Sequence, residues 1–350
     1  MCKLLQLVRF WHGSDASHPK NDQKGDNPMK KTIALLLTLV FLLSLPSVLA
    51  DDKVYSIGIA QFGEHASLDN CRKGFVLGMQ ENGFEEGVNV RYTYQNAVGD
   101  TGIAAIIASS FVDNRMDLIL AIATPMAKIA HTTADGAIPV IYSAVSAPVE
   151  AELADEQGLG INTTGTSDIL PVDEQLKVIR EMLPDAKSIG ILYTLSEVNS
   201  GVQLRDYEKT AGAYGFEIVS QGITVGADIA LAVPQLINKV DCMTMLLDNT
   251  VVQYLDVVLD QTDEIGIPVF GSEIEQVRRG CVASVGLDYI KLGRQTGALA
   301  ARVLKGEDAS TIPFEIIDGY ELYINSATCE RLGIVLSDEI QQRAHKVEPL

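Results

Sequence analysis

Clusters of polar residues follow the short apolar runs of this chain, and each offers groups able to hold a small charged molecule. They are Gln61 to Ser67, Thr124 with Pro125, Ser143 to Ser146, Ser167 with Asp168, Ser196 to Ser200, Asp248 with Asn249, and Ser272 with Glu273. Thr124 suits a helix N-cap and Pro125 the first helical position, which would leave the amides of Met126 and Ala127 without hydrogen-bond partners. A carboxylate would be stabilised there, although capping alone accounts for the pair equally well. Asn199 and Ser200 carry the same two readings. Asp248 closes an apolar run, so it either caps the next helix or binds a cation such as an ammonium group, and Asn249 can cap in its place. Ser272 with Glu275 fits a capping box, which would leave Glu273 at a solvated helix start.

Covalent and acid–base chemistry find little support. His65 has the right side chain for a general base, with Glu64 or Asp69 as its candidate partner, but no positioned pair is evident. The chain shows no G-x-S-x-G nucleophile, no H-E-x-x-H, no phosphate-cradling G-x-x-x-x-G-K-[ST] and no G-x-G-x-x-G after its first strand. His65 therefore reads as a hydrogen-bonding or packing residue near a cleft. His131 falls in a helical pattern and His345 near the end, so neither a metal cluster nor a cofactor is expected. Cys71, Cys242, Cys281 and Cys329 lack C-x-x-C spacing, and Cys242 and Cys281 sit in apolar runs where a thiol packs as a small hydrophobe.

The elements that must position these clusters alternate regularly. Strand candidates are VYSIGIA (54–60), VNVRYTY (88–94), DLILAIA (117–123) and IPVIYS (138–143), with helical patterns such as Ser67 to Asn82 and Thr101 to Asn114 between them. The pattern restarts with SIGILYT (188–194), GFEIVS (215–220), DCMTMLLD (241–248), IPVFGS (267–272) and CVASVG (281–286). Near-continuous apolar strands separated by helices indicate parallel sheets buried on both faces, so the expected fold is α/β with two doubly wound lobes joined by a multi-strand hinge. Residues 157–175, rich in Gly, Thr and Asn, read as a crossover and not as a core element. The expected organisation assigns 51–162 plus 288–313 to lobe 1 and 163–287 plus 314–335 to lobe 2, with 336–350 as a tail. Ligands of open parallel sheets bind beyond the carboxyl ends of strands, where the polar clusters fall.

Targeting and charge narrow the setting. Lys30 and Lys31 precede an apolar run from Ile33 to Leu43, and Val48 and Ala50 stand at small-residue positions, the pattern of a secretory signal peptide over 29–50 cleaved before Asp51. The run is too short to span a bilayer, and no cysteine stands at the cut for acylation. A freely diffusing periplasmic protein is expected, with residues 1–28 a start-site artefact upstream of Met29. The whole chain holds 27 basic and 46 acidic residues; the first fifty carry six and three, leaving 21 against 43, a net charge of −22. Such a surface repels nucleic acid and anionic lipid.

With these clusters in place, the chain resembles the substrate-binding proteins of ABC importers, specifically the branch that binds aromatic amino acids on the type I periplasmic binding protein fold. The resemblance rests on IGIAQFGEHASLDNCRKGFVLGM, DLILAIATPMA, SDILPVDEQ, LYTLSEVNSGVQ, LLDNTVV, PVFGSEIEQVRRGCVASVGLDYIKLGRQTG and the late IPFE, in that order over about Val54 to Gly333. It implies a monomeric, non-enzymatic two-lobed clamp that captures an amino acid, such as Phe, Trp or Tyr, and docks on a membrane permease. By position, Gln61, His65, Thr124, Pro125, Ser143 and Ser146 would come from the first lobe. Ser167, Asp168, Asn199, Ser200, Asp248, Asn249 and Glu273 would come from the second, with Asp248 taking the ligand ammonium and Phe62 or Tyr289 near its ring. The family commonly shows Asp where Ala147 and Glu273 stand. An alternative is a sensor component feeding a chemoreceptor or histidine kinase.

Overall fold

The computed structural model describes residues 53–350 except Asp318, so the signal-peptide reading falls outside the described residues. The first sheet grows from three βα steps and a fourth strand: β1 (Tyr55–Gln61), α1 (Ala66–Glu81), β2 (Val90–Asn96), α2 (Thr101–Asp113), β3 (Leu118–Ile122), α3 (Thr124–Ala134) and β4 (Val140–Ser143). β5 (Thr163–Ser167) follows and pairs with β4. Every residue of β3 and β4 is buried, as continuous apolar strands sandwiched between helices require.

The second lobe repeats the arrangement with α4 (Val172–Met182), β6 (Ser188–Thr194), α5 (Val198–Thr210), β7 (Glu217–Ile223), α6 (Ile229–Ile237) and β8 (Cys242–Thr244). It continues through α7 (Asn249–Gln253), α8 (Leu255–Ile265), β9 (Val269–Phe270), α9 (Ile274–Arg279) and β10 (Ala283–Gly286). The chain then returns to the first lobe with α10 (Tyr289–Leu304) and β11 (Glu315–Ile316). It ends in the second lobe with β12 (Glu321–Ile324), α11 (Ser326–Arg331), α12 (Asp338–Arg343) and β13 (His345–Lys346).

Strand order decides where a ligand can sit. The first sheet runs β11-β5-β4-β3-β1-β2, all parallel, and the second runs β7-β6-β8-β9, also parallel. Backbone bonds from Val282 to Val269 and from Gly271 to Ala283 tie β10 beside β9. β12 then adds antiparallel to β10, and β13 parallel to β12. Strand order reverses between β1 and β3 in one lobe and between β6 and β8 in the other. Each reversal opens a crevice beyond the strand carboxyl ends, because successive helices cross to opposite faces there.

α1 and α10 lie backbone to backbone on the first lobe. A Cβ at Gly74 or Gly78 would fall 2.2 Å from the carbonyl oxygen of Ile290 or Arg294, and one at Gly293 2.1 Å from that of Cys71. This contact sets the starts of both helices, and so Ser67 and Tyr289, at one side of the cleft.

Two readings of the sequence are revised. The crossover at 157–175 contains β5, a fully buried strand of the first sheet, so the lobe boundary at residue 163 divides that sheet. Distant partners satisfy two of its threonines: Thr163 meets His131 Nδ1 at 2.7 Å, and Thr166 meets Thr296 Oγ1 at 2.7 Å, while the Thr164 hydroxyl is buried without a partner. The expected tail at 336–350 is also structural. Ile340 is buried in the second core, and Val347 donates to the Ile324 carbonyl. Cys71, Cys242, Cys281 and Cys329 are free and buried.

Candidate functional site

The two crevices face one another across a shared cavity. From the first lobe it is lined by His65, Ser67 and Leu68 after β1, Thr124 after β3, Ala144 and Ser146 after β4, Asp168 after β5, and Tyr289 at the start of α10. From the second come Asn199 after β6, Leu247, Asp248, Asn249 and Val252 after β8, and Glu273 with Gln276 after β9. Its volume is about 20 Å³, so these side chains must part to admit a molecule the size of an amino acid. A cross-cleft contact holds the walls together: Asn70 donates to Glu275 at 3.1 Å.

Two helices of the first-lobe wall start without a side-chain cap, while Asp288 caps α10. α1 begins after His65 and α3 after Ala123, and neither residue makes a side-chain capping bond. The helix at Thr124 starts one residue earlier than expected, with Thr124 as its first residue and Pro125 as its second. Ala127 N–H is therefore taken by the Ala123 carbonyl. The first-turn amides with no intrahelical acceptor are those of Thr124 and Met126. Ala123 and Ala144 sit at φ 80° and 55°, a conformation that costs a non-glycine residue about 1–3 kcal/mol and persists only where surrounding structure imposes it.

One acid belongs to this wall. Asp168 is buried, accepts Ser146 Oγ at 2.9 Å and Tyr289 Oη at 2.7 Å, and has a pKa raised by burial. Two bonds leave acceptor capacity unused. The His65 ring nitrogens are buried without hydrogen-bond partners, and burial lowers the ring's pKa to about 4, so it is neutral at pH 7. Asn249 opposes this shift, pulling the pKa upward, but less than burial lowers it.

The second-lobe wall holds three buried acids, all engaged by the protein. Asp248 caps α7, where Asn249 was an alternative cap. It accepts Thr194 N–H at 2.6 Å, Thr194 Oγ1 at 2.8 Å, Ser200 Oγ at 2.7 Å and Val251 N–H at 2.8 Å. All four sites of the carboxylate are filled, which leaves none for the ammonium expected there. Glu273 caps α9 through Glu275 N–H at 2.7 Å and Gln276 N–H at 3.0 Å, so it is buried, and the expected Ser272–Glu275 capping box does not form. Burial pushes Glu273 up to about 7. Glu197, absent from the expected site, accepts five bonds from Asn199, Asn249 and Thr250, and burial followed by the nearby Asp248 charge raises it to about 7. The signal that selected Asp248, an acid just after a buried strand, applies to Glu197 as well.

Of the expected residues, His65, Thr124, Ser146, Asp168, Asn199, Asp248, Asn249 and Glu273 meet at the cavity. The remaining five stand behind it. Gln61 is buried and donates to Gly63 and Asp69; Ser143 joins Cys71 and Thr296; Ser167 donates to the Val145 carbonyl; and Ser200 serves Asp248. Pro125 is half-buried in the first turn of α3. Phe62 lies in the first core, whereas Tyr289 lines the cavity. No group of three or more His, Cys, Asp or Glu residues able to hold a metal occurs among the described residues.

The family profile described as ABC transporter substrate binding protein matches residues 56–348. A tyrosine-binding protein of Clostridioides difficile (strain R20291) is 38% identical over 283 residues, covering 81% of this chain and 82% of its own. Among solved structures, a Streptococcus pneumoniae ABC domain in complex with L-Trp has a TM-score of 0.82 at 30% identity, covering 84% of this chain and all of its own. The ligand-free, open structure of a Clostridium difficile substrate-binding protein with adhesive properties has a TM-score of 0.65 at 35% identity, covering 85% of this chain and all of its own.

Proposed function

The chain belongs to the ABC transporter substrate-binding protein family, a non-enzymatic ligand-binding family, and from that premise we propose that it captures an aromatic L-amino acid between its lobes in the periplasm and delivers it to a membrane permease. The observation that carries this reading is the polarity of the two walls. Uncapped starts of α1 and α3 present positive helix ends to the cavity, while Asp168, Asp248 and Glu273 line it with no Lys or Arg among the lining residues. A zwitterion fits this field, its carboxylate toward the α1 and α3 amides and its ammonium toward Asp168. Leu68, Leu247, Val252 and Tyr289 supply apolar surface for a ring.

The relatives support both ligand class and motion. One is a tyrosine-binding protein, and another was solved with L-Trp. The open Clostridium structure is nearer in sequence than the Trp complex yet scores lower, as expected when lobes differ in arrangement more than in fold. That pattern favours a hinge that closes over ligand. Among the described residues no helix is long and apolar enough to cross a membrane.

The chain's one tryptophan, Trp11, lies upstream of the proposed cleavage site, so the exported protein should contain no indole. Added L-tryptophan should then shift its own emission on entering the cleft, with tyrosine and phenylalanine displacing it and leucine competing at least about tenfold more weakly for want of a ring. Equal competition by leucine would refute the aromatic preference.

A further inference from the structure

Building on the cleft as an amino acid site, we propose that Glu197 is a positioning residue that sets specificity: it locks the side-chain amides of Asn199 and Asn249 with their carbonyl oxygens turned to an N–H donor of the ligand. Glu197 lies between β6 and α5, is buried, and stands just outside the cavity lining. Both asparagines line the cavity.

Hydrogen-bond chemistry fixes the orientation. Glu197 Oε2 accepts Asn249 Nδ2 at 2.7 Å and Asn199 Nδ2 at 3.1 Å, and above pH 7, where Glu197 is ionised, its carboxylate can only accept. Each amide must therefore point its nitrogen at Glu197. The Leu247 carbonyl, a second obligatory acceptor, takes Asn199 Nδ2 at 2.8 Å and reinforces that choice. Asn199 Oδ1 is left buried without any donor. An orphaned acceptor of this kind carries a desolvation cost that an N–H of the ligand would relieve. Glu197 is itself held in place by the backbone N–H groups of Asn249 and Thr250, both at 3.0 Å, and by Thr250 Oγ1 at 3.0 Å.

The arrangement divides labour among the acids. Asp248 is saturated by donors from the protein, so its charge acts at a distance. Glu197 presents no oxygen to the cavity, yet it turns two neutral amides into directed acceptors. A ligand that lacks its amine would leave Asn199 Oδ1 unpaired and should be rejected for that reason.

The test measures discrimination. The tightest binder among L-tyrosine, L-tryptophan and L-phenylalanine, and the desamino analogue of that ligand, are titrated by calorimetry into the parent protein and into Glu197→Gln. A glutamine side chain donates as well as accepts, so it no longer dictates which way the two asparagine amides face. The advantage of the amino acid over its analogue should fall by about tenfold or more. Equal weakening of both ligands, the mark of a purely structural role, would overturn the proposal, and so would an unchanged ratio. Should Glu197→Gln fail to fold, Asn199→Leu reads the same oxygen from the other end and should erase the same discrimination; equal weakening there is also fatal. Failure of the parent to bind any of the three would instead overturn the amino acid reading, and this inference with it.

Discussion

Helix starts at the cleft are of two kinds, and four of them divide by wall, whereas α5 of the second wall is also uncapped and α10 of the first is capped by Asp288. On the first-lobe wall, α1 and α3 open onto the cavity with no side-chain cap, whereas on the second-lobe wall α7 and α9 open under Asp248 and Glu273. α7 has five residues and α9 has six, so neither is held by length, and an acid cap contributes a larger share of its stability. α1 and α3, at 16 and 11 residues, are anchored by buried faces and can leave their starts open. The difference teaches that an acid beside a binding cleft need not be a ligand contact. The second-lobe acids are taken up by the protein's own donors, while the first lobe keeps bare amides and the spare acceptor capacity of Asp168.

Asp248→Ala should break that division most visibly. It strands the buried N–H groups of Thr194 and Val251, together with the hydroxyls of Thr194 and Ser200. A stability loss of about 3 kcal/mol is expected by denaturant titration, with amino acid affinity of the folded protein changed less than about threefold. Intact stability with lost binding would return Asp248 to the role of ammonium partner.

Asp168→Asn should do the reverse. It keeps the shape that Ser146 and Tyr289 pack against but removes the charge available to an ammonium. Binding should weaken by about 2 kcal/mol, roughly thirtyfold in Kd, while the melting temperature moves little. A smaller and sharper test is Thr124→Asp. Thr124 is buried, so desolvation of a carboxylate there offsets its favourable place in the first turn of α3. The acid nevertheless puts a like charge where the ligand carboxylate is proposed to sit, with about a tenfold loss of affinity expected by calorimetry. Unchanged affinity of the folded variant would mean that the open start of α3 has no part in binding.

What the sequence discloses follows from how local each cause is. SIGILYT matches β6 residue for residue, and DLILAIA brackets β3 by one residue at each end, because continuous apolar runs state their own burial. β5 was hidden: TTGTS reads as a turn, and its burial depends on His131, Thr296 and Val145, up to 130 residues away. The clusters that meet at the cavity were legible from topology alone, since strand ends at a reversal point must converge. Which acid caps which helix was not. Asp248 and Asn249 are neighbours with similar capping tendencies, Glu273 caps where Ser272 is the better N-cap type, and a one-residue shift in helix start moves a carboxylate from solvent to core. Glu197 was missed for the same reason, its five donors being supplied by Asn199 and by the far side of the β8 loop.

The second-wall glutamates and His65 of the first wall should also titrate in opposite directions, an effect of a few degrees in melting temperature. Glu197 and Glu273 have folded-state pKa values of about 7, above the 4.5 of a free glutamate, chiefly because burial disfavours their charge. Between pH 4.5 and 7 the native state holds protons that the unfolded chain has released, so these groups raise stability as pH falls through 7. His65, from the first wall, has a folded pKa of about 4 against 6.5 when free, so its contribution declines as pH falls below 6.5. Two groups oppose one, and Asp168, also raised, adds to the majority. The melting temperature should therefore be higher at pH 5.5 than at pH 8, by a few degrees at about 2–4 °C per kcal/mol for a chain of this size. Glu273→Gln should flatten the rise, because the neutral amide no longer titrates, and His65→Phe should steepen it by removing the opposing proton. A melting temperature that falls from pH 8 to 5.5 would mean that the second-wall acids stay ionised in the folded protein, and that their capping bonds outweigh the cost of burying three carboxylates around one cleft.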